Sequence, residues 1–264
     1  MRRLIVVSGA GLSAGSGIRT FRTDTGSGKA LWDEYDLDEV CNIRAFNGNF
    51  YAKTHAFYNK RRAELETVHP NMAHTRIAEW YQRFPGQVLN LTTNVDDLLE
   101  RAGVHSGITH IHGELTKLLV HEKDAPKFEH VTPQHFYGMY GMYGGIVDID
   151  YQQIDVDQFH FVKPYVTFFG EASDKYQEMY NILDTLTTQD LVLLVGSSNQ
   201  VINFYWELFP AFNMGTKMAV INPVIDLNAR YQLEHGGIPY YMQKAEDVFC
   251  DPRFIEMVEK HLEG

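Results

Sequence analysis

Leu4-Ile5-Val6-Val7-Ser8-Gly9-Ala10-Gly11-Leu12-Ser13-Ala14-Gly15-Ser16-Gly17-Ile18-Arg19-Thr20-Phe21-Arg22 is the stretch on which the fold turns. Its first four residues are apolar and mostly β-branched, which reads as a short buried strand. Glycines and serines follow at once. Glycine there lets the backbone turn tightly and come close to a ligand. A helix starting near Leu12 or Ser13 would turn its free N–H groups to the same gap and favour an anion such as a pyrophosphate. Gly9-x-Gly11-x-x-Ala14 fits the dinucleotide pattern G-x-G-x-x-G/A. That pattern also asks for a second strand ending in an acid about 20 residues later. Here the chain enters Thr23-Asp24-Thr25-Gly26-Ser27-Gly28-Lys29, and Asp33 and Glu34 stand in a Trp-Asp-Glu-Tyr context. Read alone, the stretch is a structural tight turn or a variant dinucleotide site in which a loop replaces the second strand.

Outward from it, strands alternate with helices. Gln87–Thr92, Ile108–Ile111, Tyr165–Phe169, Asp190–Val195 and Lys217–Ile221 read as strands. Helices are expected from Phe50 to about Glu66 behind an Asn49 cap, from Asn71 to Phe84 behind Pro70, and from Asp174 to about Leu186. Others follow Gly196–Asn199 and run from Pro252 to Leu262, and Leu31–Tyr35 suits a helical turn. Such alternation marks an α/β, Rossmann-like, doubly wound parallel sheet. Ligands bind such sheets beyond the carboxyl ends of the strands. The loops Gly9–Ser16, Thr92–Asp97, His112–Gly113, Gly196–Asn199 and Asn222–Pro223 would therefore line one crevice. Residues 121–160 break the alternation with Tyr137-Gly138-Met139, Tyr140-Gly141-Met142 and Tyr143-Gly144-Gly145, and are expected to form a small inserted lobe.

The 264 residues suit one large domain, 1–264, with that lobe. The formal net charge of -11 argues against nonspecific nucleic-acid binding and is compatible with a lysine-bearing protein partner. Cys41 and Cys250 form no CxxC, which fits a cytoplasmic setting. The apolar run behind Arg2-Arg3 is shorter than the about 7 residues of a signal-peptide core, and no run reaches the roughly 20 apolar residues of a membrane helix.

Several motifs now combine. Gly9-Ala10-Gly11-Leu12-Ser13-x-x-Ser16-Gly17-Ile18-x-x-Phe21-Arg22 resembles the first signature of the sirtuins. Thr93-Asn94-Val95-Asp96-x-Leu98 with Glu100-Arg101-Ala102-Gly103 is similar to their second. His112-Gly113, Val162-Lys163-Pro164-x-Val166-x-Phe168-Phe169-Gly170-Glu171, Gly196-Ser197-Ser198 and Ile221-Asn222 follow in family order. The resemblance spans nearly the whole chain outside residues 121–160. It implies an NAD-dependent protein-lysine deacylase, in which the acyl carbonyl oxygen attacks the nicotinamide ribose as nicotinamide leaves. A base must then activate a ribose hydroxyl, a task that suits a histidine of near-neutral pKa.

The resemblance gives that role to His112, with His110 its nearest rival. It places Asn94 on the nicotinamide ribose and Asp96 on the carboxamide, although both alone would read as a helix cap. Gly9, Ala10, Gly11, Ser13, Ser16, Gly17, Ile18, Phe21, Arg22, Thr93, Val95, Gly196, Ser197 and Ser198 would line the NAD site. Asn222 would reach the adenosine ribose and Ala245 would lie near the adenine. Ile18–Leu31 would be a loop closing over NAD. Phe168, Phe169, Gly170 and Glu171 would pair with an extended acyl-lysine peptide.

Tyr58 and Arg61 share a helix face and would grip a succinyl or malonyl carboxylate, beside Cys41. The alternative for Lys60-Arg61-Arg62 is a solvated charge run. Phe57–Arg62, Pro70-Asn71 and Ile18–Phe21 resemble the acidic-acyl, class III bacterial members, desuccinylases and demalonylases. Two departures stand out. The family's Gln before Asn-x-Asp is Thr93. The family's zinc cysteines are missing, so no metal is expected, and Phe136, Tyr137, Tyr140 and Tyr143 would pack the lobe instead. An NAD-cleaving hydrolase or ADP-ribosyltransferase on the same fold is the alternative activity.

Overall fold

A computed structural model describes residues 1–18, 35–135 and 143–264. In chain order the strands are β1 (Arg3–Ser8), β2 (Val88–Thr92), β3 (Ile108–His110), β4 (Gly113–His121) and β5 (Val131–His135). They continue with β6 (Tyr143–Asp148), β7 (Val162–Val166), β8 (Asp190–Val195), β9 (Lys217–Ile221) and β10 (Tyr240–Tyr241). One sheet runs β10-β9-β8-β1-β2-β3, and all its pairings are parallel. The order reverses direction at β1, between β2 and β8. That is the switch point where open α/β sheets bind ligands. Ser8 is level with Thr92 on one side and with Val195 on the other, so all three strands deliver their following loops at one height.

The sheet is buried on both faces, which is why its strands are continuous apolar runs. Leu4 and Val6 face a core with Ile77, Trp80, Phe249 and Phe254. Ile5 and Val7 face the other core, with Met179, Phe204 and Leu208. The helices that cover these faces include Met72–Arg83, Tyr176–Leu183, Phe204–Asn213 and Pro252–Glu263.

The strand expected over Tyr165–Phe169 does not join this sheet. Its residues begin with β7, in a separate antiparallel sheet of order β5-β6-β4-β7. The reason lies at Gly113. With φ +83 it turns the chain straight from β3 into β4, and a Cβ there would strike the Tyr165 carbonyl. A core of Leu118, Val120, Val147, Ile149, Ile154 and Val162 fills this second sheet, with the stacked rings of Phe128 and Phe159 beside it. The aromatic packing expected of Phe136, Tyr137 and Tyr140, and the Tyr143 side chain, lie outside the described residues, as do Phe21, Arg22 and most of the Ile18–Leu31 loop.

Helix boundaries differ from the expected ones at their caps. Asn49 caps nothing; the helix is Tyr51–Thr67 and begins after Phe50. Asn71 lies outside its helix rather than in it. Its side chain accepts from the N–H groups of Ala73 and His74, while its own N–H donates to His74 Nδ1. Asp174 is spent on the Tyr165 hydroxyl, and that helix is Tyr176–Leu183.

Candidate active site

The loops after β1 and β8 meet backbone to backbone. A Cβ on Gly11 would lie 2.6 Å from Gly196 Cα, and one on Gly9 would lie 2.9 Å from the Gly196 oxygen and Ser197 Cα. Gly196 itself sits at φ +59. Only glycine allows this approach. The N–H groups of Gly9 and Gly11 are spent inside the contact, on the carbonyls of Val195 and Gly196. Likewise Leu12 N–H goes to Gly9 and Ser13 N–H to Ala10. The expectation that amides from Gly9 to Ser13 face a pyrophosphate is therefore corrected for these four. The glycines build the cradle by their lack of a side chain, with Ala10 at its rim. Ser16 Oγ is buried without a partner among the described residues, Gly17 turns at φ +92, and Ile18 packs on the neighbouring apolar cluster.

Across the cradle, Asn222 Nδ2 donates to the Ser197 carbonyl at 2.9 Å, tying β9 to the β8 loop. Ser197 is buried and bonded to Asn199, whereas Ser198 is exposed. Ala245 is a core residue, packed with Val248 and Phe249. Its side chain serves the fold.

Behind β2, hydrogen bonds place Asn94 and Asp96. Asn94 Nδ2 donates to Ser13 Oγ at 3.1 Å, and Asn94 N–H to Thr92 Oγ1 at 3.1 Å. His74 Nε2 lies 3.3 Å from the same Ser13 Oγ. Because His74 Nδ1 accepts from the Asn71 amide, Nε2 carries the proton and donates to Ser13. Burial pushes His74 down to about 4, so it stays neutral. Burial also raises the Asp96 carboxyl, opposed by the Ser13 hydroxyl, the Leu98 N–H and the charge of His110. Val95 holds the loop by accepting the Leu115 N–H at 2.8 Å. Thr93 turns back on β1, with N–H and Oγ1 both directed at the Ser8 carbonyl, so its hydroxyl is not presented to a ribose.

The two histidines after Thr109 are opposites. His112 donates one ring N–H to the Thr93 carbonyl, which leaves Nε2 with no partner. Burial lowers its pKa, so the ring is neutral with a fixed tautomer and a free lone pair. His110 is bonded on both ring nitrogens, to the Asn94 carbonyl at 2.9 Å and Glu100 Oε1 at 2.8 Å. Although burial opposes its charge, Glu100 raises it to about 9. Divergent titration at the end of β3 and just beyond it separates the two: His112 has a free ring nitrogen to act as a base and His110 has none.

The substrate-side residues form a third cluster. Tyr58 is buried, stacks on Phe168 at 5.5 Å between centroids, and donates to Cys41 Sγ at 3.7 Å. Arg61 is half-buried and pairs with Glu64 at 2.5 Å. The cationic run splits three ways. Lys60 bonds the Tyr35 hydroxyl, and Arg62 is fully buried on the Gln152 carbonyl and Asn59. A solvated run is thus excluded for Arg62.

Residues Phe168–Glu171 form a turn, with Gly170 at φ +87 and Glu171 N–H bonded to Phe168. Phe169 already pairs in parallel with Asn42, giving its N–H to Cys41 and accepting from Ile43. Strand addition of a peptide onto Phe169 is therefore ruled out at these two groups. Glu171 Oε2 accepts the Phe168 N–H at 2.7 Å and pairs with Lys163 at 3.1 Å. Asn71, Glu100 and Lys163 stand in motifs quoted from the sequence without a role of their own, and His74 stands in none. The signal available at Asn71 is a capping box with His74 in the place usual for Glu or Gln.

Among the described residues no group of three or more Cys, His, Asp or Glu side chains converges as a metal site. Among them, too, no helix is long and apolar enough to cross a membrane. Both cysteines are free thiols.

A model described as the Sir2 family matches residues 9–203. An NAD-dependent protein deacylase of Helicobacter hepaticus is 37% identical over 223 residues, 77% of each chain. One from Helicobacter pylori strain J99 is 35% identical over 267 aligned positions, covering 99% of both chains. The crystal structure of a Sir2 homologue bound to NAD superposes with a TM-score of 0.69 at 25% identity, over 98% of this chain and 90% of that one.

Proposed function

Because this chain belongs to the Sir2 family, we propose that it is an NAD-dependent protein-lysine deacylase with His112 as its general base. One observation carries the reading. His112 presents an unpartnered Nε2 with a fixed tautomer next to the Asn94–Asp96 loop, beside glycines that let the loops after β1 and β8 close on each other. Bound NAD would supply an electrophilic ribose carbon for the acyl carbonyl oxygen. His112 Nε2 would take a proton from a ribose hydroxyl. Asn94 would contact the nicotinamide ribose, and Asp96 would accept from the carboxamide N–H. Gly9, Ala10, Gly11, Ser16, Gly17, Gly196, Ser197 and Ser198 would surround the phosphates and riboses, with Asn222 at the adenosine end.

The acyl group would enter beside Phe168, Tyr58 and Cys41. Arg61 there favours acidic acyl groups, succinyl or malonyl, with the acyl carboxylate replacing Glu64 as its partner. The peptide would use backbone groups near Gly170 and Glu171 rather than Phe169. Residues 121–160 would serve as a metal-free lobe, supported by its apolar core. The free thiols support a cytoplasmic setting.

The test is incubation with NAD and acetyl-, succinyl- or malonyl-lysine peptides, reading nicotinamide release. Release that requires peptide is expected; release without peptide favours the NAD hydrolase. Arg61→Met should lower desuccinylation by at least about ten-fold more than deacetylation. Equal loss of both would remove Arg61 from the acyl site.

A further inference from the structure

His110 is 6% exposed, and both of its ring nitrogens are engaged by acceptors. The Asn94 carbonyl has no proton to give, so Nδ1 must carry one. Glu100 Oε1 lies 2.8 Å from Nε2. Glu100 Oε2 is buried with no partner among the described residues, so the His110 ring is the group that answers this carboxylate, and toward a carboxylate Nε2 is the donor. Counting donors and acceptors therefore makes His110 an imidazolium inside the fold.

Its surroundings agree. From the Leu98–Ala102 helix comes Glu100, from the start of β4 comes Glu114, and from the loop after β2 comes Asp96. Lys117 is held by Glu114 at 2.8 Å. The imidazolium thus lies between Glu100 and the loop that carries Asn94 and Asp96.

We propose that His110 is a positioning residue whose fixed positive charge, anchored by Glu100, clamps the Asn94 carbonyl and keeps Asp96 ionised, and thereby readies the Asn94–Asp96 loop for NAD. Geometry supplies the clamp, a single bond from Nδ1–H to the Asn94 carbonyl. Electrostatics supplies the second part. Asp96 is disfavoured as an anion by burial, and a nearby buried cation offsets that cost. An ionised Asp96 is an acceptor on both oxygens, the state that receives an amide N–H most strongly. His110 therefore acts through Asn94 and Asp96 and leaves the proton transfer to His112.

The NAD step rests on the family's activity, but the charge itself does not. The first measurement is NMR of the protein without ligand, labelled at its histidine imidazole nitrogens. Both His110 nitrogens protonated at pH 7.5 is the expected result; a single neutral tautomer overturns the proposal, whatever the protein binds. The second is Glu100→Gln, which keeps an acceptor but removes the counter-charge. His110 should then fall back to one proton at neutral pH. NAD binding by calorimetry should weaken about ten-fold, with the acyl-peptide KM unchanged. The alkaline limb of kcat/KM for NAD should also move down toward the ordinary histidine range. Unchanged NAD affinity with a singly protonated His110 sinks the link to NAD. Wild-type protein that binds no NAD would overturn the proposed activity and leave the NMR result to decide the charge.

Discussion

Replacing Lys163 with Met tests how the acyl side of the site is held. Lys163 Nζ lies 3.1 Å from Glu171 Oε2, with the two side chains 11% and 24% exposed. It also donates to the Val166 carbonyl at 2.6 Å and sits 3.9 Å above the Phe168 ring. Met fills a similar volume but strands the Glu171 carboxylate. Breaking one side of a buried pair costs about 3–5 kcal/mol, and the exposure of Glu171 places this case near the lower end. Glu171→Gln is milder, about 1–2 kcal/mol, because the amide oxygen still accepts the Phe168 N–H. The double variant carries no stranded charge and should lose only about 2 kcal/mol, mainly the backbone acceptors. Urea unfolding midpoints at constant slope report these differences. Losses that add to within about 0.5 kcal/mol would refute the coupling. Because Phe168 stacks on Tyr58, Lys163→Met should also raise the acyl-peptide KM while the NAD KM stays put.

Other consequences are as direct. Gly196→Ala forces a Cβ to 2.5 Å from Gly11 Cα at a backbone of φ +59, so it should cost at least about 2 kcal/mol and weaken NAD binding more than about ten-fold. Unchanged calorimetric affinity would show that the loop contact does not shape the cradle. Acid should destabilise the fold through His55 and His74, both pushed down to about 4 by burial. The folded chain refuses protons that the unfolded chain accepts near pH 6.5, so stability is full above about 6.5 and is lost as pH falls toward 4. Replacing His55 and His74 with Gln should flatten thermal midpoints across that window; an unchanged acid slope would contradict the assignment.

The parallel sheet was legible because its strands are buried on both faces. Runs such as Leu191–Val195 are apolar throughout because both of their faces are covered. The crevice was legible because parallel strands end together, as Ser8, Thr92 and Val195 do. What escaped depends on distant partners. Arg62 looks solvated beside Lys60 and Arg61 until the Gln152 carbonyl, 90 residues away, is brought against it. Phe169 looks like a free strand edge until Cys41–Ile43 occupies it. The resemblance favours His112 over His110, but the physical difference between them comes from Glu100 and Thr93. Glycine spacing disclosed the cradle but not how its amides are spent, because that depends on a carbonyl contributed by Gly196.

Asn71 joins two parts of the molecule that sequence keeps apart. One end of its amide caps the Met72–Arg83 helix through the N–H groups of Ala73 and His74, and the other holds the Leu12 carbonyl at 2.8 Å. Fraying of that helix and opening of the glycine loop are therefore a single cooperative event. A ligand that settles in the loop would slow hydrogen exchange at the helix's first amides, though it touches none of them.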